Sequence, residues 1–144
     1  MREALLLAEE ASAADEIPVG AVVVRNGEII GRGRNRTGVD RDATAHAELL
    51  AIRDACRTIG ESRLEGCLLY VTLEPCPMCA GAIVLSRLSG LFYGAWDAKA
   101  GAAGTLYTIT TDPRLNHRLE THGGVLDEEC GELLSRYFRS KRNT

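Results

Sequence analysis

The stretch TAHAELL, residues 44–50, sets His46 two places before Glu48, and LEPCPMC, residues 73–79, sets Cys76 three places before Cys79. One imidazole and two thiols are donors that zinc accepts readily, and three protein ligands with a fourth position left to water is the pattern of a catalytic zinc. Residues i and i+3 project from the same side of a helical turn. Pro77 marks that turn as a helix N-terminus, where its missing N–H costs nothing. Unpaired N–H groups and the helix dipole there favour thiolate over thiol. His46 is read in the first turn of a second helix, so two helix ends converge on one metal. Glu48 needs its own argument, because residues two apart on an ideal helix diverge by roughly 200°. His46 and Glu48 face one site only if the metal sits over the helix end. Glu48 then stands beside the activated water, placed to move its proton.

Plainer readings exist for each part. A lone His-x-Glu arises often by chance, and a histidine at a helix start commonly caps it. Cys-x-x-Cys also serves redox motifs and structural zinc sites. A structural zinc needs a fourth protein ligand, and Cys67, His117, His122 and Cys130 are available without helpful spacing. A redox pair leaves His46 and Glu48 without a task. Five cysteines, an odd number with no secretory leader ahead of them, argue against a disulfide framework. A reducing cytosol fits better, with Cys56, Cys67 and Cys130 as small buried apolar residues.

The elements that must carry these groups are legible in outline. Residues 2–14 read as a helix with Leu5, Ala8, Ala11 and Ser12 on one face. IPVGAVVV (17–24) reads as a strand covered on both sides. Asn26-Gly27 is the favoured pair for a two-residue type I′ turn. EIIGRGRNR returns as a second strand, weakened by its glycines. Residues 45–59 read as a helix with Leu49, Ile52, Cys56 and Ile59 on one stripe, capped by Asp42 or Thr44 and ended by Gly60. A strand at 67–73, a helix over 76–87 and a strand in LSGLFYGAW follow, then the loop DAKAGAAGT. A fifth strand is expected near RLETHGGV, and DEECGELLSRYFRSKR closes as an amphipathic helix. Strands alternating with helices give an α/β layered fold, and the opening hairpin makes its sheet mixed.

With 144 residues and no internal repeat or linker, the chain reads as one domain, 1–144. No apolar run approaches the ~20 residues that span a bilayer, so no membrane association is expected and the location reads as cytoplasmic. A net charge of −3 gives no long-range pull on a polyanion. Any such site must be a local patch, and two candidates stand out: Arg32, Arg34, Arg36 and Arg41, and then Arg136, Arg139, Lys141 and Arg142.

The order His-x-Glu followed by Pro-Cys-x-x-Cys resembles the signature of the zinc nucleobase deaminases. Within them, PVGAVVV with its NG turn, GRNR, TAHAE, YVTLEPCPMCAGAI, DAKAGAAG, NHR, EEC and YFRSKR are similar to the bacterial tRNA-specific adenosine deaminases, the TadA family. The resemblance implies a three-layer α/β/α cytidine-deaminase-like fold with a mixed five-stranded sheet, and a homodimer. It implies one Zn2+ per chain, held by His46, Cys76 and Cys79, and no organic cofactor. The implied reaction is hydrolytic deamination of the wobble adenosine in a tRNA anticodon stem-loop to inosine, with Glu48 as proton shuttle. An anticodon loop is already unpaired, so extruding its base is cheap.

By the same resemblance Asn35 contacts the flipped nucleoside, where the plainer reading is a turn asparagine. Asp97 and Lys99 contact nucleic acid, with Asp97 able to accept from a ribose 2′-OH; Asn116 is a weaker match. Phe138 offers a stacking surface, against the plainer reading of a core aromatic, and Lys141 and Arg142 meet phosphates. Trp96 departs from the family pattern and either stacks on RNA or packs. Two rivals are a free-base deaminase of the same fold and a zinc-stapled RNA-binding module. The first leaves the segments after residue 94 unexplained, and the second leaves Glu48 idle.

Overall fold

A computed structural model describes residues 1–142. Helix α1 spans Arg2–Ala13, and strands β1 (Gly20–Arg25) and β2 (Glu28–Arg34) form the opening hairpin. Arg25 pairs with Glu28 across Asn26 (φ 51°) and Gly27 (φ 79°), two left-handed residues in succession, as a type I′ turn requires. Then come α2 (Ala47–Ile59), β3 (Leu68–Leu73), α3 (Pro77–Leu85), β4 (Gly90–Ala95), β5 (Glu120–His122) and α4 (Asp127–Arg142). A short 3-10 turn at Ile109–Thr111, absent from the sequence reading, precedes β5.

The strand order is β2-β1-β3-β4-β5. β1 lies antiparallel to both β2 and β3, whereas β3–β4 and β4–β5 are parallel, so the sheet is mixed as expected. Alternation along the strands separates two faces. Ala21, Val23, Leu69, Val71 and Leu91 lie in one core with Ala47, Ala51, Ala55 and Ile83, which places α2 and α3 on that face. On the other face Gly20 meets α1 at Ala4 and Ala8, and Gly94 meets α4 at Cys130. Three layers result.

The glycines of β2 do not weaken a poor strand; they make room for a helix. A Cβ on Gly31 would lie 2.4 Å from the Ala51 carbonyl oxygen, and one on Gly33 would lie 2.3 Å from that of Ala47. The backbone of α2 therefore presses on the sheet itself. For the same reason the fully buried residues of α2 are Ala47, Ala51 and Ala55, with Ile52 nearly so, while Leu49, Cys56 and Ile59 of the expected stripe are only half-buried. Likewise α1 buries Ala4, Ala8 and Ala11, where Leu5 and Ser12 stay half-exposed.

Gly60 ends α2 in the left-handed conformation (φ 72°), as the sequence suggested. The start of α2 differs from expectation. Neither Asp42 nor Thr44 caps it; the N-cap is His46, with an extended backbone. Asp42 instead accepts from the N–H and hydroxyl of Thr44, building the turn ahead of the helix.

Candidate active site

β3 runs into Glu74, Pro75 and Cys76, and Cys76 is the N-cap of α3 with Pro77 behind it. α2 and α3 thus aim their N-termini at one point at the end of the sheet where β3 finishes. His46 Nδ1 lies 3.6 Å from Cys76 Sγ and 3.5 Å from Cys79 Sγ. Tetrahedral zinc, with bonds of about 2.3 Å to sulfur and about 2.0–2.1 Å to nitrogen, separates N from S by about 3.6 Å. The donor set matches that spacing and that chemistry. Among the described residues it is the one His, Cys and carboxylate cluster dense enough for a metal, and no fourth protein donor joins it. Cys67 begins β3's approach at its far end, His117 Nε2 meets the Leu88 carbonyl oxygen, His122 pairs with Glu120, and Cys130 lies under Gly94.

The electrostatics follow from the crowding. The Cys79 thiol donates to Cys76, which together with His46 holds the Cys76 sulfur down to about 4. That same bond and burial push the Cys79 thiol far up, and the Cys76 thiolate raises His46. Cys76 and Cys79 would hold zinc as thiolates, with His46 as a neutral imidazole.

Glu48 is 4% exposed, and burial pushes its carboxyl up to about 7. It falls outside the donor cluster yet lines the same cavity, of about 170 Å³, with His46, Cys76, Asn35, Asp97 and Ala100. Because His46 is an N-cap with φ −80° and ψ 151°, its side chain is not bound by helical spacing. His46 therefore stands just outside the first turn, one residue earlier than expected, and the donor set lies at the helix end.

The peripheral residues divide. Asn35 is 7% exposed and lines the cavity, while its Oδ1 accepts the Thr37 N–H, so it is both a turn asparagine and a pocket residue. Asp97 also lines the cavity, its Oδ1 accepting from the N–H groups of Lys99 and Ala100. Lys99 is exposed and shares a second groove, of about 480 Å³, with Phe138, Arg139 and Arg142. Phe138 is 43% exposed and so is not a core aromatic. Lys141 turns the other way, pairing with Asp15 and lying over the Tyr137 ring. Asn116 is exposed, lines neither cavity, and precedes β5 at the end of the sheet where β4 begins. Trp96 is half-exposed and sets its ring edge-on to Tyr93, close to Gly124. Glu74, inside LEPC, also lines the cavity, and no spacing in the sequence signals a task for it. Ile17, Val19 and Leu73 supply apolar wall.

Residues 1–95 match the family model for the cytidine and deoxycytidylate deaminase zinc-binding region. The chain belongs to this zinc-binding deaminase family. Among its family members, a tRNA-specific adenosine deaminase of Bacillus subtilis is 51% identical over 99% of this chain and 88% of the relative. One from Haemophilus influenzae is 50% identical over 99% of this chain and 83% of the relative. A deaminase structure solved in work on A-to-I editing by tRNA:A34 deaminases at the wobble position superposes with a TM-score of 0.89 at 45% identity, covering 93% of this chain and 97% of the other. The zinc-binding deaminase family and the α/β/α fold read from the sequence are thus found, and zinc is the cofactor that the His46, Cys76 and Cys79 set fits.

Proposed function

We propose that this chain deaminates the wobble adenosine of a tRNA anticodon to inosine, releasing ammonia. The observation that carries it is the buried Glu48 carboxyl beside a His-Cys-Cys set at zinc spacing, in a chain about half identical to tRNA-specific adenosine deaminases along nearly its whole length.

Zinc, when bound, supplies a Lewis acid that lowers the pKa of water. Glu48 accepts a proton from the attacking water, delivers it to the ring nitrogen next to C6, and assists the second transfer to the departing amine. One water is consumed and one ammonia is released, with no change of oxidation state. Burial raises the affinity of the Glu48 carboxylate for a proton, which suits it to this exchange. Asn35 and Asp97 orient the extruded nucleoside, and the apolar wall of Ile17, Val19 and Leu73 packs the base. Lys99, Phe138 and Arg142 receive the flanking strand by charge and stacking. Lys141, engaged with Asp15, steadies α4 against α1 until RNA competes for it.

The chain works as one domain and as a homodimer in the cytoplasm. Leu85, 81% exposed on α3, together with Leu106, Tyr107 and Leu115, offers apolar surface for a second copy. Asn116, away from its own cavity, meets substrate bound by that copy. No helix among the described residues is long and apolar enough to cross a membrane.

The test is incubation of the zinc-loaded protein with an anticodon stem-loop carrying adenosine at the wobble position, beside free adenosine, cytosine and guanine. Inosine in the stem-loop is the expected product. Conversion of a free base with an untouched stem-loop would overturn the reading.

A further inference from the structure

Glu74 is 2% exposed, yet the ion pairs among the described residues do not include it. A buried carboxylate without a cation is costly unless hydrogen bonds replace its water. Here they do, and all come from one loop. Glu74 accepts from the Asp97 N–H at 3.0 Å, the Ala103 N–H at 3.1 Å and the Thr105 N–H at 2.9 Å, and from the Thr105 hydroxyl. The loop wraps the carboxylate so closely that a Cβ on Gly101 would lie 2.4 Å from Oε1. Two backbone ties reinforce it: the Glu74 N–H donates to the Ala95 carbonyl, and the Ala102 N–H donates to that of Pro75.

The loop held in this way carries Asp97 and Ala100 on the cavity wall and Lys99 on the neighbouring groove. Glu74 itself stands two places before Cys76. We propose that Glu74 is a positioning residue that locks the 97–105 loop into the wall of the cavity and so sets where the substrate nucleoside lies against Glu48 and the metal ligands. It touches the loop, not the reacting atoms. This rests on the deaminase reading for its catalytic consequence but not for the clamp. Glu16 shows the device a second time in the molecule: 7% exposed, it accepts from the N–H groups of Gly38 (3.1 Å) and Val39 (2.7 Å), on the loop that follows the Asn35 turn.

Glu74→Gln is the direct test, because a side-chain amide turns donors toward the loop's own N–H donors. The expected result is full zinc content and a kcat/KM on the stem-loop lowered about tenfold or more, with KM raised. Amide exchange at residues 97, 103 and 105 should accelerate in the same protein. Thr105→Val should move exchange and KM the same way by less, and Thr105→Ser should restore both; this pair decides the matter if Glu74→Gln does not fold. Unaltered exchange and KM would overturn the clamp, as would loss of zinc and kcat at constant KM, which would make Glu74 a support of the metal loop alone. Exchange is read without substrate, so a parent protein that fails to edit RNA would sink the proposed function and leave this measurement standing.

Discussion

His46 and Glu48 border one cavity although helical spacing would turn them apart, because His46 is the N-cap of α2 and only Glu48 lies inside the helix. This division separates metal binding from proton transfer. Glu48→Gln keeps the size and the hydrogen-bonding reach of the side chain but cannot carry the proton. It should retain one zinc per chain by elemental analysis and lose turnover by about 10²–10⁴-fold. Zinc loss accompanying the inactivity would show Glu48 to be part of the metal's support.

Removing a donor should act the other way. In Cys76→Ser the spacing that matches zinc loses its thiolate, so metal content should fall and turnover with it. A chelator competition should show metal affinity reduced by more than the 10–100-fold typical of residues that merely brace a ligand. Cys56→Ser, on a half-buried cysteine outside the site, is the control.

The metal-free protein should show the buried carboxyl in its stability. The Glu48 pKa is raised from 4.5 to about 7 in the folded chain. As pH rises past about 4.5 the unfolded chain gives up this proton first, so the contribution is fully present below that value and declines until about pH 7. The Cys76 thiol, held down to about 4, acts in the opposite sense in both proteins, so the readout is the difference: the melting advantage of chelator-stripped parent over Glu48→Gln should shrink as pH rises from 5 to 8. A parallel profile for the two proteins would remove burial of Glu48 as the cause.

How much of this was legible depended on how local each signal is. Pro77, Gly60 and Asn26-Gly27 act within a turn's length, and the elements they delimit stand where they were read. The metal donors were legible because two helix starts wrote them as short spacings. The cap of α2 was misread because Asp42 bonds Thr44 rather than the helix, a choice made by the backbone between them. Alanine faces carry no strong periodic signal, so the deep face of α2 was displaced toward its larger residues. Glu74 stayed silent because its partners lie in a loop far along the chain, and Lys141 because its partner is Asp15 at the opposite end.

The groove beside the cavity should report through salt. Arg142→Ala should weaken stem-loop binding and lower the slope of log affinity against log salt by about 1, whereas Phe138→Ala should weaken it with the slope intact. Lys141→Ala, whose ammonium is occupied by Asp15, should change the slope less than Arg142→Ala does.

Gly31→Ala should cost stability out of proportion to one methyl group, because its Cβ would meet the α2 backbone at Ala51 and Ala55 rather than a movable side chain. A loss of about 1–3 kcal/mol or more in denaturant unfolding is expected. Gly27→Ala meets no atom but must take a left-handed φ, and should cost about 1 kcal/mol.

The hairpin at Asn26-Gly27 also acts as a proofreader of the metal centre. Gly31 and Gly33 sit under α2 in the correct frame, and the residues between and beyond them, Arg32 and Arg34, point to the opposite side of the sheet. A slip by one residue would exchange them, driving guanidinium groups beneath the helix whose tip holds His46. A slipped pairing would deprive α2 of its seat and leave His46 without a fixed place beside Cys76 and Cys79.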